Sequence, residues 1–184
     1  MFQVRIHGRG GQGVVTAAEM LSVAAFVDGR HAQAFPSFGS ERMGAPVTAF
    51  ARLDELPIRS HDPVTAPDAV VVQDPTLFAD TSLLDGLAAL GLLLVNTVRP
   101  PGDLPVSLAP GRRLVTVPAT EIARRTVGRP VPNTALLGAL AALTGVVTVG
   151  GLEAAVRRRF PPPLADANVR ALREAAALSA GADA

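Results

Sequence analysis

Four glycines fall within six residues near the start of the chain, in Gly8-Arg9-Gly10-Gly11-Gln12-Gly13. The run before them, "FQVRIH", alternates apolar and polar residues, as a half-buried strand does. The run after them, Val14 to Val27, places Val14, Ala17, Ala18, Leu21, Ala24 and Ala25 on one helical face. A strand, a tight glycine turn and a helix in immediate succession constrain the chain to an α/β architecture. The same arrangement points helix N-terminal N–H groups at one spot and favours negative charge there. Gly8–Gly13 also fits G-x-G-x-x-G at every fixed position. Three readings stay open: a dinucleotide site, a structural turn, and a site for another phosphate-bearing ligand or an interface.

A dinucleotide site needs an acidic residue at the end of the next strand, about 20 residues on, to hold the ribose. Asp28 has the distance but precedes the strand at 31–35, which ends at Phe35-Pro36. Arg42 lies too far along the following loop for a confident 2′-phosphate contact. The motif is half met. A stand-alone NAD(P)-binding Rossmann-type oxidoreductase is kept as the alternative reading.

The segment "PSFGSERMGAP" (36–46) reads as a loop from its Pro, Ser and Gly content. It leads to a strand at 47–53. A connection that short without helical pattern does not make a parallel crossover, so these two strands are expected antiparallel or not adjacent. Phe38 is an anchor, either folded into the core or inserted into a neighbour. Glu41 and Arg42 are adjacent, so each seeks a partner elsewhere.

Further on, Ala69–Gln73 and Leu92–Val95 read as fully buried strands, with a helix over 81–90 between them. A strand at 114–117 and a helix from 118–120 to about 127 follow. Asn133 and Thr134 are expected to cap the helix "ALLGALAALTG", 150–160 forms another, and Asp166 begins the last. The expected fold class is α/β and three-layered: a mixed, mostly parallel sheet with helices on both faces and a helical C-terminal third. Residues 1–184 are read as one domain, with 133–184 a helical extension of it.

Composition removes several chemistries. All 17 basic residues are Arg. A lysine Schiff base, a P-loop lysine and a lysine general base are therefore excluded. There are no cysteines, so the chain supplies no thiolate to zinc or an iron–sulfur cluster. His7, His31 and His61 have no metal-site spacing. No catalytic residue and no metal ligand is assigned. Seven Phe with no Tyr or Trp make a poor base-stacking platform, so no nucleic-acid partner is expected. No signal peptide or membrane span is read, which places the protein in the cytoplasm. Charged residues are only 18%, which fits either a surface covered by partners or an Ala-rich bias. Residues 1–111 carry seven Arg and eleven acids, and 112–184 carry ten Arg and five acids. The one dense run, Arg157-Arg158-Arg159, reads as a solvated helix end.

Taken in order, "GRGGQGVVTAAEML", "DGRHAQAFPSFGSERMGAPVTAFARL", "PDAVVVQDPTLF" and "NTALLGAL" resemble the gamma subunit of 2-oxoacid:ferredoxin oxidoreductases, especially the pyruvate type. The resemblance spans nearly the whole chain. It implies a subunit of a complex that decarboxylates a 2-oxoacid on thiamine diphosphate, passes electrons to ferredoxin and forms an acyl-CoA. Thiamine diphosphate, magnesium and iron–sulfur clusters are then expected on alpha, beta and delta-type partner subunits, with CoA as co-substrate. For this chain it implies a part in assembly and CoA handling. The residues it assigns to that contact are Gly8, Arg9, Gly10, Gly11, Gln12 and Gly13, with Ser37, Phe38, Gly39, Glu41 and Arg42 of the second loop. Ser40 and Met43 stand where the family usually has Pro and Arg.

Overall fold

The computed structural model describes residues 1–37, 43–60 and 62–181. Its six strands are β1 (Phe2–Arg9), β2 (His31–Pro36), β3 (Pro46–Asp54), β4 (Ala69–Val72), β5 (Leu92–Asn96) and β6 (Arg113–Val117). They form one sheet in the order β2-β3-β1-β4-β5-β6. β1, β4, β5 and β6 pair in parallel, while β3 runs antiparallel to both β1 and β2. The short connection at 36–46 thus makes an antiparallel pair, as expected. β1 runs two residues further than the alternation implied, because β3 continues to pair with it at Gly8 and Arg9.

Period-two burial sorts the strands by face. Val4 and Ile6 of β1, Ala49, Ala51 and Leu53 of β3, and Ala69 and Val71 of β4 share one core with the α-helices. These helices are α1 (Val14–Val27), α2 (Ala119–Val127), α3 (Asn133–Thr144), α4 (Val149–Arg159) and α5 (Pro162–Ala180). The alternate residues Val70, Val72, Leu93 and Val95 form a smaller core with Leu77, Leu83, Leu87 and Leu104. The class is the one expected: a mixed, mostly parallel sheet between two layers, with a helical final third.

The covering of the second face differs in detail. The helix expected over 81–90 is replaced by 3-10 segments at Pro75–Ala79 and Thr81–Leu84. The carboxylates of Asp74 and Asp80 accept the N–H groups of Thr76 and Ser82 at 3.0 and 2.9 Å. Such side-chain turns compete with an α-helix and hold the backbone tight.

Two helix starts also move. Pro132 takes the capping position of α3, and Asn133 and Thr134 are buried inside its first turn. α5 begins at Pro162 rather than Asp166. Proline in the first turn lacks only an N–H that would have no helical acceptor, so Pro162 and Pro163 begin α5 directly after the break at Phe160 and Pro161. α3 and α5 approach so closely that a Cβ on Gly138 would strike the backbone carbonyl of Leu172.

Ion pairs knit the outer helices. Arg173 of α5 grips Glu153 of α4 through two bonds of 2.6 and 2.7 Å. Arg157 reaches Asp166 at 2.6 Å, and Arg125 pairs with Glu174. Part of the C-terminal arginine excess is therefore spent holding helices together.

Candidate functional site

The glycine loop lies at the carboxyl edge of the parallel strands, where α/β sheets bind ligands. Gly8 and Arg9 close β1, and Gly10, Gly11 and Gln12 make the turn. Gly13 precedes α1 with φ 72°, the left-handed region that favours glycine. Among the described residues no side chain caps the start of α1, so its first-turn N–H groups find no side-chain acceptor there.

The loop is held by polar bonds. The Gln12 amide folds back, accepting from the Arg9 N–H at 2.8 Å and donating to Asp74 Oδ2 at 3.1 Å. Arg9 Nε donates to the same carboxylate oxygen at 3.1 Å, while its terminal nitrogens donate to Gly44 O and Thr76 Oγ1 at 3.1 and 2.7 Å. Burial pushes the Asp74 carboxyl up. The bonds from Thr76 and Gln12 and the nearby Arg9 charge outweigh it and hold Asp74 below the ordinary carboxylate value. Arg9 is thus committed to an internal carboxylate.

The structure brings the two sequence-assigned loops together. The Gly10 N–H donates to Ala45 O at 2.9 Å, and the Gly44 N–H donates to Gly10 O at 3.1 Å. The Ser37 N–H donates to Thr48 O at 2.8 Å, so the second loop leaves and re-enters the sheet beside β3. Phe38, Gly39, Ser40, Glu41 and Arg42 lie outside the described residues. Met43 is 88% exposed, and its sulfur lies over Gly11.

Several residues that support this edge carried no such signal in the sequence. Asn133 Nδ2 donates to Gly13 O at 3.2 Å, and Thr134 Oγ1 donates to Asn168 Oδ1 at 2.9 Å. This buried polar chain ties the glycine loop to α3 and α5. Asn96 donates to Gln73 O and to Thr120 Oγ1, both at 2.8 Å, joining the ends of β4 and β5 to α2. A helix-capping composition around Asn133 was legible; its long-range partner was not.

Beside the loop is a cavity of about 170 Å³. Gly11, Gly13, Thr16, Arg129, Arg159 and Phe160 are among the residues that line it. The Arg159 guanidinium stands over the Phe160 ring, 5.8 Å from its centre. Neither arginine has an ion-pair partner among the described residues.

The dinucleotide reading is corrected by topology. β3 is inserted between β1 and β2, so the strand that would carry the ribose acid is not beside β1. Asp28 is engaged elsewhere: Thr148 N and Oγ1 each donate to its carboxylate at 2.6 Å, at the start of α4. Among the described residues no cluster of three His, Asp or Glu could hold a metal. No helix among them is long and apolar enough to cross a membrane.

Comparisons with known proteins agree with this geometry. Residues 3–178 match the family model described as pyruvate ferredoxin/flavodoxin oxidoreductase. The chain is 47% identical over 176 residues to the pyruvate/ketoisovalerate oxidoreductases common subunit gamma of Pyrococcus abyssi, covering 95% of each chain. It is 50% identical over 157 residues to the pyruvate synthase subunit PorC of Methanosarcina barkeri, covering 85% of each. The crystal structure of pyruvate oxidoreductase subunit PORC from Thermotoga maritima superposes with a TM-score of 0.84 at 40% identity, over 96% of this chain and 95% of that one.

Proposed function

The chain belongs to the pyruvate ferredoxin/flavodoxin oxidoreductase family as a gamma subunit, and we propose that it serves there as a non-catalytic subunit that assists assembly and handles CoA. The parent reaction in this reading is the oxidative decarboxylation of a 2-oxoacid, pyruvate or a relative, to an acyl-CoA. Thiamine diphosphate, magnesium and the iron–sulfur clusters sit on alpha, beta and delta-type partners, ferredoxin takes the electrons, and the complex works in the cytoplasm. A chain without cysteine fits a subunit that leaves cluster ligation to others.

One observation carries the CoA part. The uncapped start of α1, Gly11, Gly13, Arg129 and Arg159 surround a single cavity, a setting suited to phosphate groups. Gly8–Gly13 and Ser37–Arg42 then form the edge that meets the thiamine-bearing subunits. Arg9 keeps the turn in shape through Asp74, and Phe38 packs across the interface. Arg42 offers its guanidinium to CoA or to a partner carboxylate.

Co-expression with the genes adjacent to its own, followed by purification on a tag carried by this chain, tests assembly. A brown iron–sulfur complex is the expected product, and elution of the 184-residue chain alone overturns the reading. In that complex, Arg42→Ala raises the apparent KM for CoA about tenfold, as for loss of a charge-assisted contact. Reduction by 2-oxoacid in the absence of CoA persists. An unchanged KM assigns Arg42 to structure only.

A further inference from the structure

The motif at Asn133-Thr134 does more than begin α3. Asn133, Thr134 and Asn168 are 4%, 1% and 5% exposed, uncharged polar side chains where apolar ones would fill the space. Buried hydrogen bonds add modest net stability, but they fix directions that apolar packing leaves free. Asn133 Nδ2 donates to Gly13 O at 3.2 Å. Asn133 Oδ1 accepts the Thr134 N–H at 2.8 Å, and the Thr134 hydroxyl donates to Asn168 Oδ1 at 2.9 Å. Asn168 Nδ2 donates in turn to Leu164 O at 2.9 Å. The bonds thus run from the glycine loop, through the start of α3, to the first turn of α5.

Both ends of this chain of bonds stand at the cavity beside the loop. Gly13 and Leu164 line it, as do Asn133 and Asn168. Arg159 and Phe160, which line it too, lie just before the turn into α5. At the first end, the Gly13 carbonyl also accepts the Ala17 N–H at 2.9 Å, the opening bond of α1. A trans peptide is planar, with its C=O and N–H pointing opposite ways. Holding the Gly13 carbonyl therefore fixes the direction of the Val14 N–H at the head of α1. Asn133 packs tightly there, because a Cβ on Gly13 would strike its amide nitrogen. At the other end, α3 and α5 are packed backbone to backbone at Gly138, which gives the bonds a firm base.

We infer that Asn133, Thr134 and Asn168 are positioning residues, which hold the head of α1 in place relative to the Arg159–Phe160 junction and so set the shape of the cavity between them. They act through the Gly13 peptide and the start of α5. The inference rests on the reading of this cavity as the CoA contact, and its test separates the two.

Thr134→Val keeps the shape and removes the hydroxyl, while Thr134→Ser keeps the hydroxyl. In the full-length chain, ¹⁵N relaxation compares the Val14 N–H with that of Leu94 in β5. Thr134→Val lowers the Val14 order parameter by about 0.1 or more from the rigid value of about 0.85, and Leu94 stays rigid. In the assembled complex the same change raises the apparent KM for CoA about fivefold, as for one lost hydrogen bond. Both kcat and CoA-free reduction by 2-oxoacid are unchanged. Thr134→Ser restores the parental values. Should Thr134→Val fail to fold, Asn133→Ala, which suits a first helical turn, gives the same two changes. A folded variant with a parental Val14 order parameter, an equal loss at Leu94, or no rescue by serine overturns the inference. Arg159→Gln supplies the separate arm. If it raises the KM for CoA and Thr134→Val does not, the positioning role is wrong and the CoA reading stands. If neither raises it while Val14 still loosens, the CoA reading is wrong and the positioning role stands.

Discussion

His7 couples folding to pH. Burial, with the Arg5 charge adding to it and Asp80 opposing, lowers its pKa from 6.5 to about 4. Between those values the unfolded chain holds a proton that the folded chain refuses, so stability falls as pH drops from 6.5 towards 4. The whole shift corresponds to about 3 kcal/mol. Urea unfolding at a series of pH values should show this decline, and His7→Gln should flatten it across that window. A variant that keeps the full slope would assign acid sensitivity to other groups. The carboxylates contribute lower down. Asp74 sits below its ordinary value, so its contribution is lost only as pH falls through and below the usual carboxylate range.

Among the elements, α3 and α5 meet most intimately, because Gly138 lets the α5 backbone at Leu172 come within contact. Adding one methyl there meets main chain instead of a movable side-chain tip. Gly138→Ala should therefore cost about 3 kcal/mol, at the high end for overpacking. Thermal melting would show a fall in Tm of about 6–12 °C; a loss below about 1 kcal/mol would mean that the two helices slide apart freely. Local periodicity was enough to place β1, α1, α2 and the buried strands, since each buries a face through its own spacing. The short connection narrowed β2 and β3 to an antiparallel or non-adjacent pair, and they pair antiparallel. It failed where a distant partner or a turn decides. Asp74 and Asp80 turned an expected helix into 3-10 segments. Asn133 accepts the Thr134 N–H through Oδ1 at 2.8 Å while its Nδ2 reaches Gly13 O, a long-range partner that helix-capping composition does not announce. Gly8–Gly13 was legible as a turn before a helix, but its lock, Asp74 with Thr76, comes from another strand end 65 residues from Arg9.

The molecule as a whole divides its surface unevenly. Leu56, Leu90 and Val98 are exposed, each apart from the others in the sequence, which is ordinary for a folded protein surface. Met43 is different by position. It stands 88% exposed where the glycine loop and the second loop are stitched together by the Gly10–Ala45 and Gly44–Gly10 bonds. A long apolar side chain exposed at this edge offers apolar area to a docking partner, at the cost of its rotamer freedom. That is the behaviour expected of an anchor for a neighbouring subunit, and Met adapts readily to an irregular pocket. Full burial of such a side chain contributes about 1.5–3 kcal/mol, or roughly a tenfold to hundredfold change in association. Met43→Ser should leave the melting curve of the isolated chain unchanged, because the side chain packs almost nothing internally. The same substitution should reduce recovery of partner subunits on a tagged chain by about tenfold, with the loss partly reversed by raising partner concentration. Full recovery of the complex would instead show that this edge stays open to solvent after assembly and that the contact surface lies on another face of the sheet.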